Sequence, residues 1–254
     1  MNELVTEADR AADYRSAFYS QYHRALNITP SPPSPAQIAQ STRQFGGRWD
    51  RWLPKEPATR CLDIGCGTGE FLYYLKSRGY HDIQGVDLSA EELEVARALG
   101  AEQVFQENAL AFLARTPSES LGLVSAFNFF EHLNKAEILA LLPEVRRVLK
   151  PGGLLFAVTP NGLSPFGGST RYWDFSHETG FTPSSWRQLS RIANFGEVHF
   201  EDYGPLPHSL RGRVRAVIWQ GIRLGIMAAS YVEVGGPRDV SKVYTADMKI
   251  ILRR

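Results

Sequence analysis

The chain has 254 residues, a formal net charge of +1, 43% hydrophobic residues and 22% charged residues. This length allows one substantial core, and the balanced composition is typical of a globular protein. The near-zero charge excludes a general attraction to nucleic acid, so an anionic partner would need a local basic patch. Two cysteines, Cys61 and Cys66, are too few for a disulfide scaffold, and we expect reduced thiols.

The first ten residues are acidic and lack an apolar centre, which argues against a signal peptide. No uncharged apolar run reaches the length of a membrane span. We therefore expect a cytoplasmic protein. Apolar residues at helical spacing predict a helix over 6–27, and a second helix is predicted over 36–52, after a proline cluster. We expect residues 1–55 to form an N-terminal helical lid.

Strands and helices alternate along 56–254, which predicts βαβ units and a parallel sheet in a single α/β domain. The predicted strands are 59–64, 82–87, 104–106, 121–127, 154–159, 198–203 and 243–252. The predicted helices are 70–78, one opening at 89, 135–149 and 183–193. A long loop covers 160–181, and a basic, apolar helical insertion covers about 207–232.

A glycine-rich turn, Asp63-Ile64-Gly65-Cys66-Gly67-Thr68-Gly69, follows the first predicted strand. Such a turn lets backbone N–H groups approach a ligand at a helix N-terminus. Asp87 ends the next strand, where its carboxylate can accept hydrogen bonds from ribose hydroxyls. A dinucleotide fingerprint would have glycine at position 70, but the sequence has Glu70. A glycine turn without a ligand is the structural alternative.

The segment Leu62–Leu72 closely resembles motif I of the class I S-adenosylmethionine-dependent methyltransferases. The resemblance extends from about Arg60 to Phe200 and includes Lys150-Pro151-Gly152-Gly153. It implies a Rossmann-like fold: a seven-stranded, mostly parallel sheet with an antiparallel last strand and helices on both faces. It also implies S-adenosylmethionine as cofactor.

Matching positions imply the cofactor contacts. Asp63 would lie near the amino group, Gly65, Cys66, Gly67 and Gly69 along the methionine and ribose, and Asp87 at the ribose hydroxyls. Leu88, Asn108 and Ala109 would surround the adenine, and Phe127 and Asn128 would lie beside the sulfonium. Asn108 departs from the family, which often has an acidic residue there. For Leu88 and Phe127, burial in the core is the alternative.

Two histidines are candidates for the base that removes a proton from the methyl acceptor. His132 follows the fourth strand, and His177 lies in the long loop, with Asp174 or Glu178 able to orient it. Glu131, His132 and His177 could also bind a metal, as in some methyltransferases of RNA ends or quinol precursors. The further acidic ligand of those enzymes is replaced by Asn128, so we predict no metal.

The loop from Arg171 to Pro183 resembles sequences in bacterial methyltransferases of surface-polysaccharide sugars. Tyr172 and Trp173 offer flat faces for a sugar ring, and Arg171 could pair with a carboxylate or phosphate. We therefore expect O-methylation of a glycan hydroxyl. The alternatives are a quinol, phenol or antibiotic methyltransferase, with an apolar pocket of Phe129, Phe130 and Trp186, and a non-catalytic cofactor-binding protein.

The predicted helix at 207–232 has Val214, Val217, Ile218, Ile222 and Ile226 near one face and arginines elsewhere. We expect a packed lid or a homodimer contact. Peripheral contact with an anionic membrane is the alternative, and the arginines could equally hold an acidic sugar. No nucleic-acid partner is expected, because a basic tail and a base-flipping tetrad are both absent from the sequence.

Overall fold

The computed structural model describes residues 31–254. Its helices are α1 Pro35–Trp49, α2 Glu70–Ser77, α3 Ala90–Ala98, α4 Ala109–Arg115, α5 Lys135–Val148, α6 Gly167–Arg171, α7 Pro183–Ile192 and α8 Leu210–Val234. Its strands are β1 Cys61–Ile64, β2 Ile83–Asp87, β3 Val104–Gln106, β4 Leu121–Phe127, β5 Leu149–Pro160, β6 Glu197–Asp202 and β7 Asp247–Arg253. A short 3-10 helix covers Phe130–His132. The helix predicted over 6–27 lies outside the described residues.

The seven strands form one sheet in the order β3-β2-β1-β4-β5-β7-β6. Pairing is parallel except at β7, which runs antiparallel to both β5 and β6. The prediction of a mostly parallel seven-stranded sheet with an antiparallel last strand is therefore confirmed. The carboxyl ends of β1, β2, β4 and β5 meet at one edge, where ligands bind in sheets of this kind.

The sequence pattern missed two of these helices. α4 is only seven residues long and begins at Asn108, whose side-chain oxygen accepts hydrogen bonds from the backbone of Leu110 and Ala111. α6 has five residues within the predicted loop. Both are too short to give a clear helical period. By contrast, α1 has the predicted position, with Ser34 as its N-cap.

Helix α1 is attached to the sheet by aromatic packing and by a buried lysine. Trp49 is fully buried, and its ring stacks on Phe156 of β5 at 4.5 Å. Lys249 of β7 donates hydrogen bonds to the carbonyl of Arg48 and to Glu201. Burial lowers the pKa of Lys249 to about 8. These contacts hold α1 against one face of the sheet.

Helix α8 has 25 residues and packs little against the rest of the described chain. Of its residues, only Ser230 is buried. The apolar residues Val214, Val217, Ile218 and Ile222 are exposed. The prediction of a packed lid is therefore not met, while the homodimer and membrane contacts stay predictions. No helix of residues 31–254 combines the length and apolar character needed to span a membrane.

Replacing Trp49 with alanine should remove the main contact between α1 and the sheet. We expect Trp49→Ala to lower the free energy of unfolding by about 3–5 kcal/mol, as for other buried tryptophans. Urea denaturation measures this change. Trp173→Ala is the matched control, because Trp173 is 62% exposed, and it should change stability by less than about 0.5 kcal/mol. Equal losses in both variants would contradict this packing.

Candidate active site

The glycine turn connects β1 to α2 at the carboxyl edge of the sheet. Gly65, Gly67 and Gly69 have φ values of +66°, +50° and +77°, a region that L side chains rarely adopt. A Cβ at Gly65 would lie 2.7 Å from Cδ2 of Phe129. Both the backbone angles and the crowding therefore require glycine, and the predicted turn is present.

Asp87 connects this turn to the end of β2. Its carboxylate accepts hydrogen bonds from the backbone N–H groups of Gly67 and Ser89, each at 2.9 Å. A carboxylate has about four acceptor positions, so two remain for hydroxyl donors such as those of a ribose. Leu88 is exposed, so its alternative placement in the core is wrong. Its predicted contact with adenine stays a prediction.

Asp63 lies beneath the turn and is only 3% exposed. Its Oδ1 accepts a hydrogen bond of 2.6 Å from Ser125. Burial, opposed by this bond and aided by the charge of Asp87, raises the pKa of Asp63 to about 7. A cation bound beside Asp63 would lower that pKa and an anion would raise it further. The site therefore fits the ammonium group of an amino acid better than a phosphate.

On the predicted adenine side of the site, Asn108 has a structural role of its own. The Oδ1 atom of Asn108 caps α4, at 2.9 Å from the Leu110 nitrogen and 3.3 Å from the Ala111 nitrogen. Ala109 is buried in the first turn of this helix. Capping explains an amide at position 108, and its predicted contact with adenine stays untested. Cys66 is a buried free thiol, and burial raises its pKa.

Two predicted sulfonium neighbours lie at the end of β4. The Phe127 ring packs among the rings of Phe45, Trp49 and Phe71, with centroids 4.7–6.1 Å apart. Core packing under α1 is thus one role of Phe127. Asn128 is exposed and has a positive φ of 49°. Backbone strain of this kind often occurs at functional sites. The predicted contacts of both residues with the sulfonium remain untested.

The structure brings His132 and His177 together, although 44 residues separate them in the chain. Their rings meet edge to face, with centroids 4.8 Å apart. Nδ1 of His132 lies 2.8 Å from Oγ of Ser176, which donates a 2.7 Å hydrogen bond to Asp174. Burial, together with His177, lowers the pKa of His132 to about 4. His132 is therefore a neutral imidazole at neutral pH.

His177 is oriented by its own loop. Its Nδ1 lies 3.2 Å from the carbonyl oxygen of Arg171. A carbonyl can only accept, so Nδ1 carries the proton and Nε2 carries the lone pair. Asp174 supports His132 through Ser176, and the expected orientation of His177 by Asp174 or Glu178 stays a prediction. The guanidinium of Arg171 donates to the carbonyls of His177 and Glu178 at 2.7 and 2.9 Å, and its predicted contact with substrate is untested.

Glu131 completes this cluster. It is 1% exposed, and burial raises its pKa to about 8. Among the described residues its Oε2 has no hydrogen-bond partner. Ligand atoms of Glu131, His132 and His177 all lie within 4.8 Å of one another, close enough to hold a metal ion. The prediction that no metal binds here stays a prediction. Sequence reasoning missed Ser176, whose place between Asp174 and His177 was its only signal.

The aromatic residues of the long loop divide into two groups. Tyr172 and Trp173 are exposed, and Arg171 lies 5.2 Å from the Tyr172 ring centroid. Their predicted stacking against a sugar is sterically open and untested. Phe130 and Trp186 are fully buried and pack edge to face at 5.0 Å. The suggested acceptor pocket of Phe129, Phe130 and Trp186 is therefore wrong, because the rings of Phe130 and Trp186 fill the core.

Comparison with known proteins agrees with this geometry. Residues 62–157 match the methyltransferase domain family. A ubiquinone biosynthesis O-methyltransferase of Hahella chejuensis is 34% identical over 110 residues, which cover 41% of this chain and 44% of that protein. A demethylmenaquinone methyltransferase of Symbiobacterium thermophilum is 26% identical over 184 residues, covering 60% of this chain and 71% of that protein. The chain spans about half the length of the first curated relatives it matches.

The crystal structure of an S-adenosylmethionine-dependent methyltransferase from Archaeoglobus fulgidus has the same fold. It superposes with a TM-score of 0.65 at 20% identity, covering 93% of this chain and 100% of that one. The predicted Rossmann-like methyltransferase fold is thus confirmed. Residues 62–157 thus resemble a methyltransferase domain, and this match supports S-adenosylmethionine as the cofactor.

Binding of S-adenosylmethionine should release a proton from Asp63. With a pKa of about 7, this group is roughly half protonated in the free protein at pH 7, and a bound ammonium would ionise it. Affinity should therefore fall as the pH drops from 7 to 6. Calorimetry in buffers of different ionisation enthalpy measures the released protons. Asp63→Asn cannot ionise, so it is the control that measures protons released by the ligand's own groups. Identical proton release by both proteins would contradict the assignment of the proton to Asp63.

Proposed function

We propose that the protein is an S-adenosylmethionine-dependent O-methyltransferase in which His177 is the general base. The observation that carries this proposal is the orientation of His177. Its Nδ1 pairs with the carbonyl of Arg171, so the lone pair of Nε2 is available. This lone pair lies in the cluster of His132 and Glu131, which follow β4 at the ligand-binding edge of the sheet.

S-adenosylmethionine supplies, when bound, an activated methyl group whose sulfur leaves as a neutral thioether. The residues of the protein then have two tasks, to orient the acceptor hydroxyl and to remove its proton. The oxygen forms the new bond to the methyl carbon, and the hydroxyl proton moves to Nε2 of His177. His132 stays neutral, so it adds no positive charge beside the imidazolium that forms.

For the acceptor, the relatives favour a small molecule with a phenol- or quinol-type hydroxyl. Two of them are named ubiquinone biosynthesis O-methyltransferases and one is named a demethylmenaquinone methyltransferase, and none of these names refers to a sugar. A sugar hydroxyl is the second candidate, and the exposed rings of Tyr172 and Trp173 favour it, since both can stack on a sugar ring. Assay of methyl transfer to catechols, other phenols and simple sugars separates these two classes.

Removal of the imidazole should slow methyl transfer without loss of the cofactor. We expect His177→Ala to lower the methylation rate by about 10²–10⁴-fold, the usual contribution of a general base, with unchanged affinity for S-adenosylmethionine. His199→Ala is the matched control, because His199 lies on β6, and it should leave the rate unchanged. Full activity of His177→Ala would contradict the proposed base.

Treatment with a chelator distinguishes a role of His177 as a base from a role as a metal ligand. As a base, His177 needs no cation, so dialysis against EDTA should not change the rate. Loss of activity that Mg²⁺ or Mn²⁺ restores would instead assign Glu131, His132 and His177 as metal ligands, which the unpaired Oε2 of Glu131 would fit.

A further inference from the structure

A pocket of about 880 Å³ lies between α1, the beginning of α8 and the loop after β5. Four arginines line it: Arg43 and Arg48 from α1, and Arg211 and Arg215 from α8. Among the described residues that line it, Asp247 is the single acidic one. The pocket therefore has a strong excess of positive charge, although the whole chain is nearly neutral.

Two buried hydrogen-bond donors of this pocket lack an acceptor among the described residues. Nε of Arg48 and Nε1 of Trp219 are buried and have no hydrogen-bond partner among the described residues. Buried donors are costly unless an acceptor completes them. Burial also lowers the pKa of Arg48, which shows that its charge is poorly solvated. An oxygen-rich anion would supply both the missing acceptors and the missing negative charge.

The remaining arginines of the pocket have no structural task within residues 31–254. Arg43, Arg211 and Arg215 form no ion pair or side-chain hydrogen bond with any described residue. By contrast, Arg187 and Arg223 are paired with Asp239 and Asp202. These three arginines are exposed and line the same pocket from two helices, so their guanidinium groups can bind an anion that enters the pocket from solvent.

The first turn of α8 also lines this pocket. Ser209 caps the helix by accepting a hydrogen bond from Gly212, and both residues are part of the wall. The N-terminal end of a 25-residue helix has a partial positive charge, which adds to that of the arginines.

The pocket adjoins the proposed base. Asp247 lines the pocket, begins β7 and pairs with Pro160 at the carboxyl end of β5. Ala246 also lines the pocket and accepts a 3.3 Å hydrogen bond from Oγ1 of Thr170, whose chain neighbour Arg171 has its carbonyl oxygen 3.2 Å from Nδ1 of His177. The rings of Phe166 and Trp219, with centroids 6.2 Å apart, form an aromatic part of the pocket wall. A ligand in this pocket can therefore extend towards His177 from an arginine-lined end.

We propose that this pocket binds an anionic group of the methyl acceptor, a phosphate or a carboxylate, and so holds the acceptor hydroxyl beside His177. The inference rests on the proposed methyl transfer and names the class of its substrate: a hydroxyl compound with an oxyanion group. Arg211 and Arg215 are positioning residues that bind the anion, while the proton moves only to His177.

Two simple probes test the anion site directly. Inorganic pyrophosphate represents a phosphate source and glucuronate a carboxylate source, and calorimetry at low ionic strength measures their binding to the full chain. We expect at least one probe to bind with a stoichiometry of one. The double variant Arg211→Gln/Arg215→Gln should weaken that binding by about tenfold or more, since two charge-assisted contacts are lost.

The matched control is Arg191→Gln/Arg213→Gln. It removes the same charge from exposed arginines outside the pocket wall, one of them on α8 itself. It should change probe affinity by less than about twofold, because only general electrostatics is altered. Absence of binding by both probes, or equal weakening in the two double variants, would overturn the proposal.

Measuring the binding of S-adenosylmethionine to the same proteins distinguishes failure of the anion site from failure of the proposed function. Both double variants should bind the cofactor like the unmodified protein. If the cofactor fails to bind while a probe binds through Arg211 and Arg215, the methyltransferase proposal is wrong and the anion site stands. If the cofactor binds and neither probe does, the anion site alone is wrong.

Discussion

The carboxylate of Asp87 accepts hydrogen bonds from Gly67 and from Ser89, and thereby joins the turn after β1 to the turn after β2. The backbone of the first turn needs three residues with positive φ, so only glycine is tolerated without strain. In this conformation of the turn, Asp63 is buried beneath it, and the carboxyl edge of the sheet is left open to a ligand. The geometry of the glycine turn, where we expect the cofactor to bind, depends on this connection.

The second part of the site is assembled by a loop that returns to β4. The backbone nitrogens of Glu178 and Thr179 donate to the carbonyl of Glu131, and Oγ1 of Thr179 donates to Leu133 at 2.6 Å. These bonds fix His177 against His132, so two distant segments form one cluster. Helix α1 packs on one face of the sheet and contributes two arginines to the arginine-lined pocket. The glycine turn, the histidine cluster and Asp247 of the arginine-lined pocket thus lie at strand ends along one edge of the sheet.

Local patterns in the sequence predicted the strands, the glycine turn and Asp87, because each depends on residues close together in the chain. The pairing of the two histidines was not predictable, since it depends on how a loop folds back over 44 residues. The burial of Phe130 and Trp186 was also missed, because an aromatic residue near a strand end has the same sequence signal in a core and in a pocket. The arginine pocket combines α1 with α8, about 170 residues apart, and no local pattern indicates it.

We expect the Asp63–Gly69 turn and Asp87 to bind S-adenosylmethionine. Calorimetric titration of the unmodified protein and of Asp87→Ala measures this binding, with Asp82→Ala as the control, because Asp82 pairs with Arg60 just before β2 begins. The expected result is one cofactor per chain, an affinity at least about tenfold lower in Asp87→Ala, and little change in the control. No binding by the unmodified protein, or equal affinity in Asp87→Ala, would contradict it.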